Sequence, residues 1–404
     1  MKRHYEKIIV ACCFVSFFVN VGLNSTSFAV YQPYIVALPG IGDVSGSIIL
    51  SLRILVSVIA TLFVNQVYNL LDLRLGLAVA TAFTGAAFFV YSIAMTLPLF
   101  LLGAVLGGIA YGVGGMVATT MLVNRWFKSG IGTAVGIASV GSGVAGFVVP
   151  VAAASIIEAQ SLSAAFLCES VLAFAVALIV FVFLRNRPED IGVAPHESKV
   201  AESGRGKEQA ERIASGLKLA LPERVLVLVA MCMLGGFSMG GISYMSVLFV
   251  TNGFDAQFAA LLLSIAGGCL MVSKFLAGEM FDRLGTPLAS FIMFSILGVG
   301  IALCCLSQTG SIPVAVCAAV FSGLGLSLGS VGLSVWSIEL SSPEYRQKSI
   351  RNCQVGFSFG GFVMNAIPGP LKELTGTYVT SYVIILGLVL VAAFIILGIY
   401  RRHA

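Results

Sequence analysis

Charge is what this chain has least of. Only 10% of its 404 residues are Asp, Glu, Lys or Arg, against about 25% in soluble domains. With 58% hydrophobic residues and a mean hydropathy of +1.01, a soluble globular fold is excluded and a polytopic membrane protein is expected. Catalytic motifs are missing too. The three histidines, His4, His196 and His403, fall in terminal or linker segments, and no nucleophile–base pairing accompanies them. No G-x-x-x-x-G-K-[ST] loop is present, which argues against ATP as the driving force. The nine cysteines include Cys12-Cys13 and Cys304-Cys305 within apolar runs, and none forms a C-x-x-C or metal-ligand spacing. They read as small apolar residues. The expectation is therefore a protein that is not an enzyme and has no cofactor and no metal. The net charge of +5 does not call for nucleic acid, because the basic residues sit in short loops beside apolar segments. The first apolar run passes Val30 without an A-x-A site, so it reads as a spanning helix rather than a signal peptide.

What the chain does have is long apolar runs. A bilayer core takes about 20 apolar residues per helix. Six such runs, at roughly 8–37, 44–69, 75–95, 97–122, 131–156 and 162–184, precede the one long hydrophilic stretch. Six more follow it, at roughly 225–250, 256–280, 287–306, 311–338, 352–371 and 378–400. The expected fold is an all-α membrane protein with twelve transmembrane helices in two six-helix bundles. The expected division is 1–184, a mixed-charge linker at 185–222 with a surface helix near Glu208–Lys218, and 223–404.

Basic residues set the orientation. Lys2, Arg3 and Lys7 lie at the amino terminus, and Arg401 and Arg402 at the carboxyl terminus. Alternate loops hold Arg74, then Arg125 and Lys128, the linker cluster, Arg283, and Arg346, Lys348 and Arg351. The opposite loops, such as Pro39–Asp43, Asn252–Gln257 and Gln308–Ser311, lack Lys and Arg; Lys372 is the exception. Both termini and the linker are thus expected in the cytoplasm, and an even helix count agrees with that.

Two cations lie inside runs, Arg53 in the second and Lys274 in the eighth. An ionisable residue within a spanning helix is a functional candidate by default. Lys274 is eight residues before Asp282, about 12 Å along a helix axis, too deep for comfortable snorkelling to the interface. Two readings stand for each cation: contact with an anionic cargo, or a structural partner. Glu169 lies within about two turns of a run's end and reads as an interfacial acid. Gly103, Gly107, Gly108 and Gly112 recur on one helix face, which suits close helix packing. Asp72-Leu73-Arg74-Leu75-Gly76 and Asp282-Arg283-Leu284-Gly285 end corresponding helices of the two halves, as a duplicated six-helix unit would.

These turns carry a family resemblance. Gly278-Glu279-Met280-Phe281-Asp282-Arg283-Leu284-Gly285 is similar to the G-x-x-x-D-R-x-G loop of the major facilitator superfamily, and the first-half copy is degraded. Asn124-Arg125-Trp126-Phe127, the glycine-rich run from Gly130 to Gly146, and Arg185-Asn186-Arg187-Pro188-Glu189-Asp190-Ile191-Gly192 resemble bacterial monocarboxylate porters and oxalate/formate antiporters. The resemblance implies alternating access by two bundles. It implies small organic anions as cargo, a proton or second anion as coupled species, a bacterial inner membrane location and monomeric function. It places Lys274 at the cation that meets the cargo carboxylate, and Tyr31, Asn24, Tyr111 and Tyr244 on cavity-lining helices. The turn residues Asp72, Asp282 and Arg283 are expected to act in gating. Two departures stand out: Leu270 occupies the place of an aspartate common in monocarboxylate porters, and no Lys or Arg falls within Cys353–Pro370. The alternatives are an exporter of neutral or amphipathic compounds and an anion-sensing, transport-like receptor.

Overall fold

The computed structural model describes residues 5–127, 131–193, 219–342 and 344–403. It is helical, with no β-strand among the described residues. The expected linker helix near Glu208–Lys218 and the basic residue Lys128 lie outside them. Eleven helices among the described residues are long and apolar enough to cross a membrane.

The chain divides into two compact units. The first comprises Met1–Ile41 and Leu52–Ser203. Its opening span runs through α1 (Tyr5–Phe17), a π-helical turn (Phe18–Leu23), a 3-10 turn (Ser27–Tyr31) and α2 (Gln32–Val36). Next come α3 (Gly42–Leu62), α4 (Val64–Leu70), α5 (Leu73–Ser92), α6 (Leu97–Gly114), α7 (Met116–Trp126), α8 (Ile131–Ala159) and α9 (Leu162–Phe183). Helix α5 packs between α6 and α9, and α8 packs on the opening span. The helix starts follow from local chemistry. Ser161 Oγ accepts from the Ala164 amide at 3.1 Å and begins α9, satisfying one of the amides that a helix start leaves open. Asp72 does the same for α5, accepting from Leu75 N at 2.8 Å. It is the one described non-glycine residue at positive φ (48°).

The second unit comprises Gly42–Ser51 and Gly204–Ala404, so the first ten residues of α3 group with it. Its helices are α10 (Leu221–Gly235), continued by a π-helical turn (Gly236–Gly241), then α11 (Met245–Thr251), α12 (Ala256–Leu284), α13 (Thr286–Cys305), α14 (Ile312–Gly325), α15 (Val331–Glu339), α16 (Arg346–Ala366), α17 (Pro368–Thr375) and α18 (Val379–Arg402). Helix α13 packs on α14 and α18, and α10 packs on α16. A π-helical turn interrupts the opening span of each unit.

The expected eleventh span, 352–371, is the one segment that fails the apolar test. Two helices, α16 with 21 residues and α17 with 8, occupy it. The break falls at Ile367 because Pro368 has no amide proton to give the preceding turn. Just before the break, Asn365 Nδ2 donates to the Gly361 carbonyl at 2.7 Å and to the Met239 carbonyl at 3.2 Å. Residues 185–193, which the sequence reading assigns to the linker, are fastened to the first unit. Trp126 Nε1 donates to the Arg185 carbonyl at 3.1 Å, and Asn186 Oδ1 accepts from Arg74 N at 2.7 Å.

Candidate functional site

In the first unit, the candidate residues separate into two groups. The first is polar. Asn20 Nδ2 donates to Thr81 Oγ1 at 3.0 Å, and Thr84 Oγ1 donates to Asn20 Oδ1 at 2.9 Å. Asn24 Nδ2 donates to Thr84 Oγ1 at 3.1 Å and to the Asn20 carbonyl at 3.2 Å. This ties the opening span to α5. A Cβ on Gly107 would lie 2.6 Å from Asn24 Oδ1, so the glycine lets α6 close over Asn24.

The second group is aromatic. Phe28, Tyr31, Phe88, Tyr91 and Phe166 are each at most 2% exposed. Tyr31 stacks on Phe166 with centroids 4.2 Å apart. Arg53 is 4% exposed, and its guanidinium carbon lies 4.4 Å from the Phe28 centroid, within cation–π distance. Tyr31 Oη donates to Glu169 Oε1 at 2.5 Å. Glu169 is 7% exposed. Its side chain faces into the helix bundle. Its distance from the helix end is what the sequence shows, and the direction of its side chain is what it does not. Tyr111, on α6, is half-buried.

In the second unit, Lys274 is half-buried on α12. The residue before it fixes the helix, since Ser273 Oγ donates to the Leu324 carbonyl at 2.5 Å and meets Ser327 Oγ at 2.8 Å. Two turns earlier, α12 and α14 touch backbone to backbone, because a Cβ on Gly323 would run into the Ala266 carbonyl. Lys274 therefore projects from a helix that is anchored one residue away. Arg283, at the end of α12, pairs with the exposed Glu279 one turn earlier.

Tyr244 is 1% exposed. Its hydroxyl lies 2.7 Å from Ser47 Oγ and 2.8 Å from the Asn365 carbonyl oxygen. Ser47 also accepts from the Gly369 amide at 2.8 Å. Beside it, Lys372 Nζ donates to Asp43 Oδ2 at 2.6 Å, and Tyr378 Oη donates to Asp43 Oδ1 at 2.6 Å. This cluster of Asp43, Ser47, Lys372 and Tyr378 escapes the sequence reading. One signal was available: Lys372 is the basic exception in the basic-poor loops, and its charge is met by Asp43. The structure thus brings Arg53 and Tyr31 to one aromatic group in the first unit, and keeps Asn24 in a separate network. Asp72 serves as a helix cap, with Arg74 beside it donating from Nε to the Phe181 carbonyl at 2.6 Å.

No curated protein matches this chain by sequence. Solved structures share its architecture at low identity. A point mutant of the nucleoside transporter NupG superposes with a TM-score of 0.75 at 13% identity, covering 96% of this chain and 99% of that one. A D-xylose-proton symporter gives 0.73 at 16% identity, over 98% and 97%. A POT family transporter in complex with 5-aminolevulinic acid gives 0.74 at 12% identity, over 98% and 96%. At these identities the likeness shows the fold. The sequence model of the Major Facilitator Superfamily matches residues 12–364, most of the chain. With its apolar helices and this match, the chain belongs to the Major Facilitator Superfamily and is an integral membrane transporter.

Proposed function

We propose that this transporter carries small organic anions, monocarboxylates or short dicarboxylates, by alternating access, as a proton symporter or an anion exchanger. The observation that carries the reading is Lys274, a cation inside a membrane span, half-buried on a helix anchored at Ser273. Holding an ammonium at that depth is costly, and an anionic cargo offsets the cost whenever it binds. The other proposed cargo contacts are Tyr244 within the second unit, through its hydroxyl, and Tyr111, Asn24 and Arg53 within the first. Asp72, Asp282 and Arg283 act at the gates. The reading takes 1–184 and 223–404 as the two bundles, 185–222 as the linker, a monomer as the working form, and a bacterial inner membrane with both termini cytoplasmic.

The supporting resemblance is to monocarboxylate porters and oxalate/formate antiporters. The names of the structural neighbours, for nucleosides, D-xylose and peptides, accompany a shared fold alone and do not select the cargo.

Counterflow into proteoliposomes loaded in turn with formate, lactate, pyruvate, oxalate or a short dicarboxylate tests the proposal. One of these anions is expected to drive uptake, and Lys274→Ala is expected to lower it at least about tenfold, a loss of roughly 1.4 kcal/mol of binding or transition-state stabilisation. Full activity in folded Lys274→Ala sinks the role given to Lys274. Absence of flux with every anion moves the assignment to an exporter of neutral or amphipathic compounds, and binding without flux to a receptor.

A further inference from the structure

Glu169 is a buried acid for which the proposed cargo path has no use. Oε1 accepts from Tyr31. Oε2 is buried and has no hydrogen-bond partner among the described residues. Around the pair, the rings of Phe28, Tyr31, Phe88, Tyr91 and Phe166 lie with centroids 4.2–6.5 Å apart. Packing of that density leaves no room for a carboxylate cargo or a hydrated metal ion. A proton does fit, since it needs only a lone pair on Oε2.

The titratable and charged groups on the surrounding elements are few. Nearest are Tyr31 on the 3-10 turn, Tyr91 on α5, Arg53 on α3, Cys168 beside Glu169 on α9, and Glu158 near the end of α8; Arg74 on α5 and Tyr5 on α1 reach the other end of α9, at the Phe181 and Phe183 carbonyls, and Glu6, Lys7, Cys12 and Cys13 also lie on α1. Arg53 is held against the Phe28 ring, and Cys168 is exposed. An anionic Glu169 therefore has one phenol to offset its burial, and burying a charge with so little compensation costs several kcal/mol. A proton on Oε2 removes that cost.

The backbone over the acid is also the least regular part of its span. Tyr31 closes the 3-10 turn Ser27–Tyr31, which follows the π-helical turn Phe18–Leu23 and precedes Pro33 in α2. Such departures from the α-helical ladder mark places where a helix changes shape. The segment that covers Glu169 is thus the one whose rearrangement admits water to it.

We propose that Glu169 is the proton-carrying group of this transporter, loaded and unloaded at Oε2 while Tyr31 holds Oε1. On loading, an O–H bond forms between Oε2 and a proton from water on one side. On unloading, that bond breaks to water on the other side, and Tyr31 keeps its own proton throughout. The proposal rests on the transport reading above and narrows it from symport or exchange to proton-coupled transport.

The experiment compares wild type, Glu169→Gln and Tyr31→Phe in proteoliposomes, with infrared difference spectra of the same preparations between acid and alkaline pH. Glutamine keeps the shape and the acceptor for Tyr31 but carries no titrating proton. Wild type is expected to accumulate the anion against its gradient when the outside is acid. Glu169→Gln should keep counterflow within about twofold and lose at least about tenfold of the gradient-driven accumulation. Tyr31→Phe should stay coupled but move the pH of half-maximal accumulation. The wild-type spectrum should contain the carbonyl stretch of a protonated carboxyl, absent in Glu169→Gln. Gradient-driven accumulation by Glu169→Gln, wild-type exchange indifferent to pH, or loss of counterflow together with accumulation in folded Glu169→Gln each overturns the proposal. If no anion supports flux, the cargo reading fails and the infrared band decides the proton site: its presence only in wild type supports the site, and its absence from wild type overturns it.

Discussion

Lys372 shows how a residue that breaks a sequence rule can be explained locally. Its ammonium meets Asp43, which also accepts from Tyr378, and the two charged side chains are 28% and 16% exposed. An ion pair that is mostly buried and shares a third donor is worth more than an exposed one. We expect Asp43→Asn and Lys372→Met each to lower the thermal midpoint of the purified protein. The double variant should be no worse than the less stable single, with a coupling within about 0.5–3 kcal/mol. Additive effects in that cycle would show that the pair contributes nothing. The sequence flags Lys372 as an exception, but its partner is 329 positions away, and nothing local in one chain links them. Lys274 and Arg53 were legible because charge in an apolar run is conspicuous. Glu169 was equally conspicuous, but its facing depends on which side of α9 meets Tyr31, and period alone leaves that open in a helix apolar all round.

At the scale of the helix, the small-residue pattern was legible and its consequences are now specific. A Cβ on Gly108 would meet the Arg53 carbonyl and Val56, and one on Gly112 would meet the Ser57 carbonyl, so the glycine face of α6 lets α3 approach at backbone distance. In the second unit, a Cβ on Gly360 would run into the Cys232 carbonyl, whereas one on Gly298 meets nothing within 4 Å. Gly360→Val is therefore expected to abolish the monodisperse peak in size-exclusion chromatography. Gly298→Ala should leave that peak intact and match or raise the thermal midpoint, because alanine is the better helix former by roughly 0.5–1 kcal/mol. A folded, wild-type-like Gly360→Val would mean that α10 and α16 do not pack this closely. The π-helical turns at Phe18–Leu23 and Gly236–Gly241 were not legible: each adds one residue to a turn within an unbroken apolar run, and hydropathy does not change where the hydrogen-bond ladder does.

For the whole molecule, the pair α16–α17 decides topology. Composition places twelve crossings, and the described residues contain eleven helices that satisfy length and apolarity alone. The remaining crossing falls to α16 and α17. Helix α16 has 21 residues, about 31 Å at 1.5 Å each, enough to span the hydrocarbon layer. Its first turns hold Arg346, Lys348, Arg351 and Asn352, which suits the headgroup region, and its apolar remainder packs on α10 and the following π-helical turn. Polar and glycine-rich backbone is tolerated at membrane depth where protein covers it. If α16 and α17 cross together, the count is even and both termini share a side; if they do not, the termini lie on opposite sides. Fusing alkaline phosphatase and a fluorescent protein in turn to each terminus and at Gln308–Ser311 reads this directly. The fluorescent fusions should be bright at both termini and dark at Gln308–Ser311, with phosphatase activity the reverse. Termini on opposite sides would remove α16–α17 from the set of spans and, with it, the basic-residue argument for a cytoplasmic carboxyl terminus.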